Sequence, residues 1–184
     1  MKVFINPGRS PQGNPDPGAI NPNSKLRECD AVLSIGTLLA HHLNAAGIET
    51  QILQDSSVDK LIDESNWWAA DLFISLHCNS FNTKARGTTT WFYEKSTNAQ
   101  KLAGFVQKQI VSALNMTDRG AKSIKRGAKE YQVLFDTAAV AIWIDLAYID
   151  NDLDAGLLAN SADQFARAIA RGITDYQATL PPVA

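Results

Sequence analysis

Phe73-Ile74-Ser75-Leu76-His77-Cys78-Asn79-Ser80 is the stretch that decides the fold. Together with Leu72 it opens as a short, almost continuous apolar run. Such a run reads as a strand buried on both faces, the kind a parallel sheet uses. The strand ends in a histidine, followed by an asparagine-containing turn. Open α/β sheets bind ligands outside the carboxyl ends of their strands. His77 therefore stands where such a fold keeps its chemistry.

Reading outward, Val3–Ile5 is a first apolar strand, followed by a loop over Asn6–Ser24 rich in Gly and Pro. A helical pattern runs from about Leu26 to Ala46, with Val32, Leu33, Ile35, Gly36, Leu39 and Leu43 on one face. Gly47 suits the position that stops it. Glu49–Leu53 reads as a strand, Val58–Trp68 as a helix, and Gly87–Tyr93 as a Thr- and aromatic-rich strand. Asn98–Leu114 is an amphipathic helix with Leu102, Phe105, Val106, Ile110, Ala113 and Leu114 inward. Asp118–Glu130 is polar and basic and contains Gly, so it reads as a surface loop. Ala138–Leu146 is another buried strand. From Asp152 the pattern is helical again, with Phe165, Ile169, Ile173 and Tyr176 as its core stripe. The end, 181–184, is expected to fray. Strands alternating with long helices predict an α/β fold. The expectation is one domain over 1–184, a twisted, mostly parallel sheet with helices on both faces.

Composition sets the outer bounds. The chain has 184 residues, 45% of them hydrophobic and 20% charged, as in ordinary globular domains. A net charge of −2 gives no general attraction to nucleic acid. No apolar run reaches membrane-spanning length. Cys29 and Cys78 make no disulfide framework and read as reduced, half-buried thiols. No apolar leader precedes the first strand, so the expectation is a protein without a signal peptide, cytoplasmic until released or exported. Gly8-Arg9-Ser10-Pro11-Gln12-Gly13 has the glycine spacing of a phosphate loop, but Asn14-Pro15 follow where Lys and Ser/Thr are needed.

Three groups converge at the carboxyl edge of the sheet. Glu28 opens the first long helix directly after the strand-one loop. His77 ends its strand. Asp145 lies near the end of Val140–Leu146. Two carboxylates and an imidazole drawn from distant positions are a fair metal-hydrolase set. Each also has a plainer reading. Glu28 suits a helix first turn, His77 can be satisfied by backbone, and Asp145 can pair with Arg9. His41 and His42 lie about 20 Å further along the helix from Glu28, too far to share its metal.

At these residues the chain resembles the zinc-dependent N-acetylmuramoyl-L-alanine amidases of bacterial cell-wall hydrolases and phage endolysins. The resemblance runs from Val3 to about Tyr176. It rests on Asn6-Pro7-Gly8, Asp16-Pro17-Gly18-Ala19, Glu28, Ser75-Leu76-His77-Cys78-Asn79, Asp118-Arg119-Gly120-Ala121-Lys122, and Ile144-Asp145-Leu146-Ala147-Tyr148-Ile149-Asp150-Asn151. It implies hydrolysis of the amide between the lactyl group of N-acetylmuramic acid and L-alanine in peptidoglycan, at the cell wall. It also implies one zinc held by His, Glu and His, with a glutamate as base.

Carried over, Glu28 and His77 match two ligands. Arg9 stands at the first histidine's place, and Asp145 at the glutamate's. Arginine has no lone pair for a metal. Aspartate retracts its carboxylate by about one C–C bond, ~1.5 Å. Asn79, Lys122 and Arg126 are candidate substrate contacts, the two cations toward peptide carboxylates, although a solvated basic loop explains them equally. The expected activity is that of an amidase impaired at Arg9 and Asp145. The alternative is an amidase-like domain that binds cell wall or a partner without catalysis.

Overall fold

The computed structural model describes residues 1–127 and 129–181. Six strands form one sheet in the order β2-β1-β3-β6-β4-β5. They are β1 (Lys2–Pro7), β2 (Glu49–Ile52), β3 (Leu72–Asn79), β4 (Thr88–Tyr93), β5 (Asp118–Ile124) and β6 (Val140–Tyr148). β2, β1, β3 and β6 are parallel. β4 runs antiparallel to β6, and β5 runs parallel to β4. The mostly parallel α/β sheet expected from the sequence is present, with one reversal at β6/β4.

The strand alternation sorts side chains between two apolar layers. Val3, Ile5, Ile74, Leu76, Ile142 and Ile144 face one layer. That layer is closed by α1 (Glu28–Ala45), α3 (Thr97–Leu114) and α6 (Ala162–Gln177). Phe4, Phe73 and Ala141 face the other, under α2 (Val58–Trp67) and the short α4 (Val133–Asp136). α5 (Asp152–Asn160) follows β6 and is capped by Asn151, whose side chain accepts from the Leu153 and Asp154 N–H groups.

Several boundaries differ from the sequence reading. The strand quoted first does not stop at the histidine but runs on to Asn79. The helical stretch after Asp152 breaks at Ser161 into α5 and α6. Leu33, assigned to the buried face of α1, is 39% exposed. Asp118–Ile124 is an edge strand and not a loop. Its segment is largely exposed, and it needs backbone pairing on one side only, so it carries no apolar signal. Of the tandem tryptophans, Trp67 is 82% exposed while Trp68 packs near Phe4. Of the tail expected to fray, residues 182–184 lie outside the described residues.

Candidate active site

The site is built where the sheet's carboxyl edge meets the long loop before α1. On the rung that matters, His77 of β3 is paired with Asp145 of β6. Both side chains point to the α2/α4 side of the sheet. Cys78, one residue on, turns to the opposite layer and is buried there. Burial pushes its thiol up, so it is inert as a ligand or nucleophile.

Glu28 reaches this edge because α1 starts under the loop. Its carboxylate is fully buried and has four neighbours. Oε1 lies 3.2 Å from His77 Nδ1 and accepts the Cys78 N–H at 3.0 Å. Oε2 accepts the Ala19 N–H at 3.0 Å and lies 2.9 Å from Arg9 Nε. The arginine contact is a close charge pair without a hydrogen bond from Nε. Nη1 adds a long contact to Asp16 at 3.4 Å. Burial works to raise the Glu28 pKa. The His77 hydrogen bond and charge, the Arg9 charge and the Ala19 N–H outweigh it and hold it at about 2.

The local backbone is shaped for this contact. Arg9 takes a left-handed conformation, φ 74°, which costs a non-glycine residue roughly 1 kcal/mol or more. Gly18, at φ 71°, has no room for a Cβ, which would strike Glu28 Oε2 and the Arg9 side chain. Gly8 is bare for a similar reason, since a Cβ there would enter the His77 ring.

His77 is boxed in. Gly8 covers it, the Trp143 ring lies parallel at a centroid distance of 3.4 Å, and Nε2 lies 3.1 Å from Ser75 Oγ. Ser75 in turn donates to Asn6 Oδ1 at 2.9 Å. Burial pulls the His77 pKa below its ordinary value.

Asp145 has a different setting. Trp91 Nε1 donates to Oδ2 at 2.8 Å and Trp143 Nε1 donates to Oδ1 at 2.9 Å. Trp91 and Trp143 are register partners on β4 and β6. Asn79 Nδ2 stands at 3.5 Å. Burial raises the Asp145 pKa in spite of both indoles. Arg9, Asn79, Trp91, Trp143 and Asp145 line one open cleft of about 390 Å³.

Glu28, His77, Arg9, Asp145 and Asn79 thus come together. Lys122 and Arg126 do not join them. Lys122 sits on edge strand β5 with its ammonium 5.7 Å over Trp91. Arg126 is spent on Asp136, at 2.6 Å, and on the Phe135 carbonyl. The sequence reading missed Ser75, Trp91 and Trp143. Trp143 was within reach, because residues two apart on a strand share a face.

A family model for N-acetylmuramoyl-L-alanine amidases matches residues 3–175. The chain belongs to that family. It is 29% identical over 182 residues to the uncharacterised protein YqiI of Bacillus subtilis, covering 95% of this chain and 84% of that one. It is 26% identical to the amidase LytC of the same organism, over 95% of this chain but only 35% of LytC. An N-acetylmuramoyl-L-alanine amidase from Clostridium difficile 630 superposes with a TM-score of 0.85 at 28% identity, covering 98% of both chains. The amidase AmiC2 of Nostoc punctiforme gives 0.85 at 25% identity, covering 97% of both. The fold, the family and an amidase-like relation to peptidoglycan are therefore established. No helix among the described residues is long and apolar enough to cross a membrane.

The amidase family's zinc can be tested against the donors this chain offers. Glu28 Oε1 and His77 Nδ1, 3.2 Å apart, have the spacing of two ligands on one tetrahedral ion. No group of three His, Cys, Asp or Glu suited to a metal occurs among the described residues. Beside Glu28 and His77 the Arg9 guanidinium already neutralises the carboxylate and repels a dication. The residues do not fit zinc.

Proposed function

We propose that this chain binds the muramoyl–L-alanine region of peptidoglycan at the cell wall and does not hydrolyse it through zinc. One observation carries the reading, the Arg9 guanidinium 2.9 Å from the buried Glu28 carboxylate. A guanidinium donates hydrogen bonds to ligand oxygens, but it offers no open coordination position at which water loses a proton. The cleft therefore keeps a cation and lacks a source of nucleophile. Asp145 fits the same picture. Its two oxygens already accept indole N–H bonds, and it is shorter than the glutamate it replaces. Asn79 and Asp145 offer a donor and an acceptor for the amide of a bound stem.

The 3.2 Å spacing of Glu28 and His77 favours one other reading, a weak zinc amidase with Asp145 as base. A single experiment separates them. The protein is mixed with insoluble peptidoglycan sacculi, with and without added zinc. Sedimented protein and newly freed alanine amino groups are both measured. The proposal expects sedimentation and no zinc-dependent release. Release that follows zinc supports the amidase, and absence of sedimentation overturns binding.

A further inference from the structure

On the α2 side of Arg9 lies a second cavity, of about 150 Å³. It shares Arg9, Glu130 and Trp143 with the cleft over Asp145 and adds Asp16, Asp55, Val58, Leu61 and Val133. Arg9 and Glu130 both line it, and no ion pair joins them among the described residues. Two opposite charges on one cavity would neutralise each other if they could meet. Held apart, they are complementary to a ligand that carries both signs.

The other carboxylates there are already engaged. Asp16 accepts from Gly18 N–H and Arg9, and Asp55 is tied to Lys60 at 2.7 Å. Glu130 is exposed and has no ion-pair partner among the described residues, so it is the free anion. Arg9 spends Nε on Glu28 and Nη1 weakly on Asp16, and makes no two-pronged pair with either. A fork of its N–H groups remains for a planar carboxylate. Val58, Leu61, Val133 and Trp143 line the same cavity and provide an apolar wall suited to a methylene stem.

We propose that this cavity is a subsite for an amino-acid zwitterion, with carboxylate on Arg9, ammonium on Glu130 and aliphatic stem on the wall between them. This rests on the peptidoglycan reading and deepens it. In a peptide stem, the α-amino and α-carboxyl groups of most residues are consumed in amide bonds. A free pair remains at the far end of a diamino-dicarboxylic acid side chain, and the subsite selects stems that contain one.

The test is titration calorimetry of the whole chain with free meso-2,6-diaminopimelate, racemic norleucine, pimelate and cadaverine. The first two carry the zwitterion; the last two carry only carboxylates or only ammoniums. The proposal expects the zwitterions to bind at least about tenfold more tightly than either single-charge control. It expects Glu130→Gln, an exposed change that leaves the fold intact, to remove most of that preference. Equal affinity for zwitterions and controls, no binding, or an unaltered preference in Glu130→Gln overturns the subsite. Sacculus sedimentation, run in parallel, tells the two claims apart. Sedimentation without zwitterion binding sinks the subsite and leaves the peptidoglycan reading standing. Zwitterion binding without sedimentation does the reverse.

Discussion

Glu28 and Asp145 are both buried carboxylates at the same edge of the sheet, and they are driven in opposite directions. Glu28 has the His77 imidazole at 3.2 Å and the Arg9 guanidinium at 2.9 Å, and these with the Ala19 N–H hold it at about 2 against burial. Asp145 has two neutral indole donors and is pushed upward by burial. The two indoles do not repay the desolvation of Asp145, whereas His77 and Arg9 together repay that of Glu28. Arg9 supplies the permanently charged part of that compensation.

The sharpest way to break this contrast is Arg9→Met, which strands the Glu28 charge. The expected loss at pH 7 is about 2–3 kcal/mol, at or below the lower end for breaking a buried ion pair, because 34% of the Arg9 side chain is exposed and screened. The pH dependence fixes the cause. A carboxylate whose pKa is lowered on folding stabilises the fold above its unfolded value and loses that contribution as pH falls. The gap between wild type and Arg9→Met in urea titrations should hold down to about pH 4.5 and close toward about 2. A gap that stays constant through that window would assign the loss to packing.

Trp143→Phe sharpens the other half. It keeps an aromatic ring against His77 and removes the indole N–H given to Asp145 at 2.9 Å. We expect a loss of about 1–2 kcal/mol and a further rise in the Asp145 pKa, read by carboxyl carbon NMR. The sign is opposite to that of Glu28. For Asp145 the folded pKa is raised, so its contribution falls as pH rises from the ordinary carboxylate range through that raised value. The smallest effect is expected at Arg126→Ala. Arg126 is held by Asp136 at the far edge, so sacculus binding should stay within about twofold of wild type. A larger loss would return it to the list of ligand contacts.

The fold and half of the site were legible in the sequence for a physical reason. Buried parallel strands and long helices carry strong periodic signals, and strand ends gather at one edge by topology. That was enough to bring His77, Glu28 and Asp145 together. Edge strand β5 was not legible, because a half-exposed edge tolerates polar residues and imitates a loop. The indole pair on Asp145 was not legible either, because it depends on the cross-strand register of Trp91 with Trp143. The basic residues after Asp118 drew attention as charges, but charge alone does not say which edge of the sheet a residue occupies.

The central claim is that Arg9 has taken the metal's place beside Glu28. Zinc titration by calorimetry, on chain purified without chelators and on Arg9→His with Asp145→Glu, tests it most directly. The expected result is no stoichiometric zinc in the wild type and a one-to-one site in the double variant, where two histidines and Glu28 complete the donor set. One tightly held zinc per wild-type chain would contradict it.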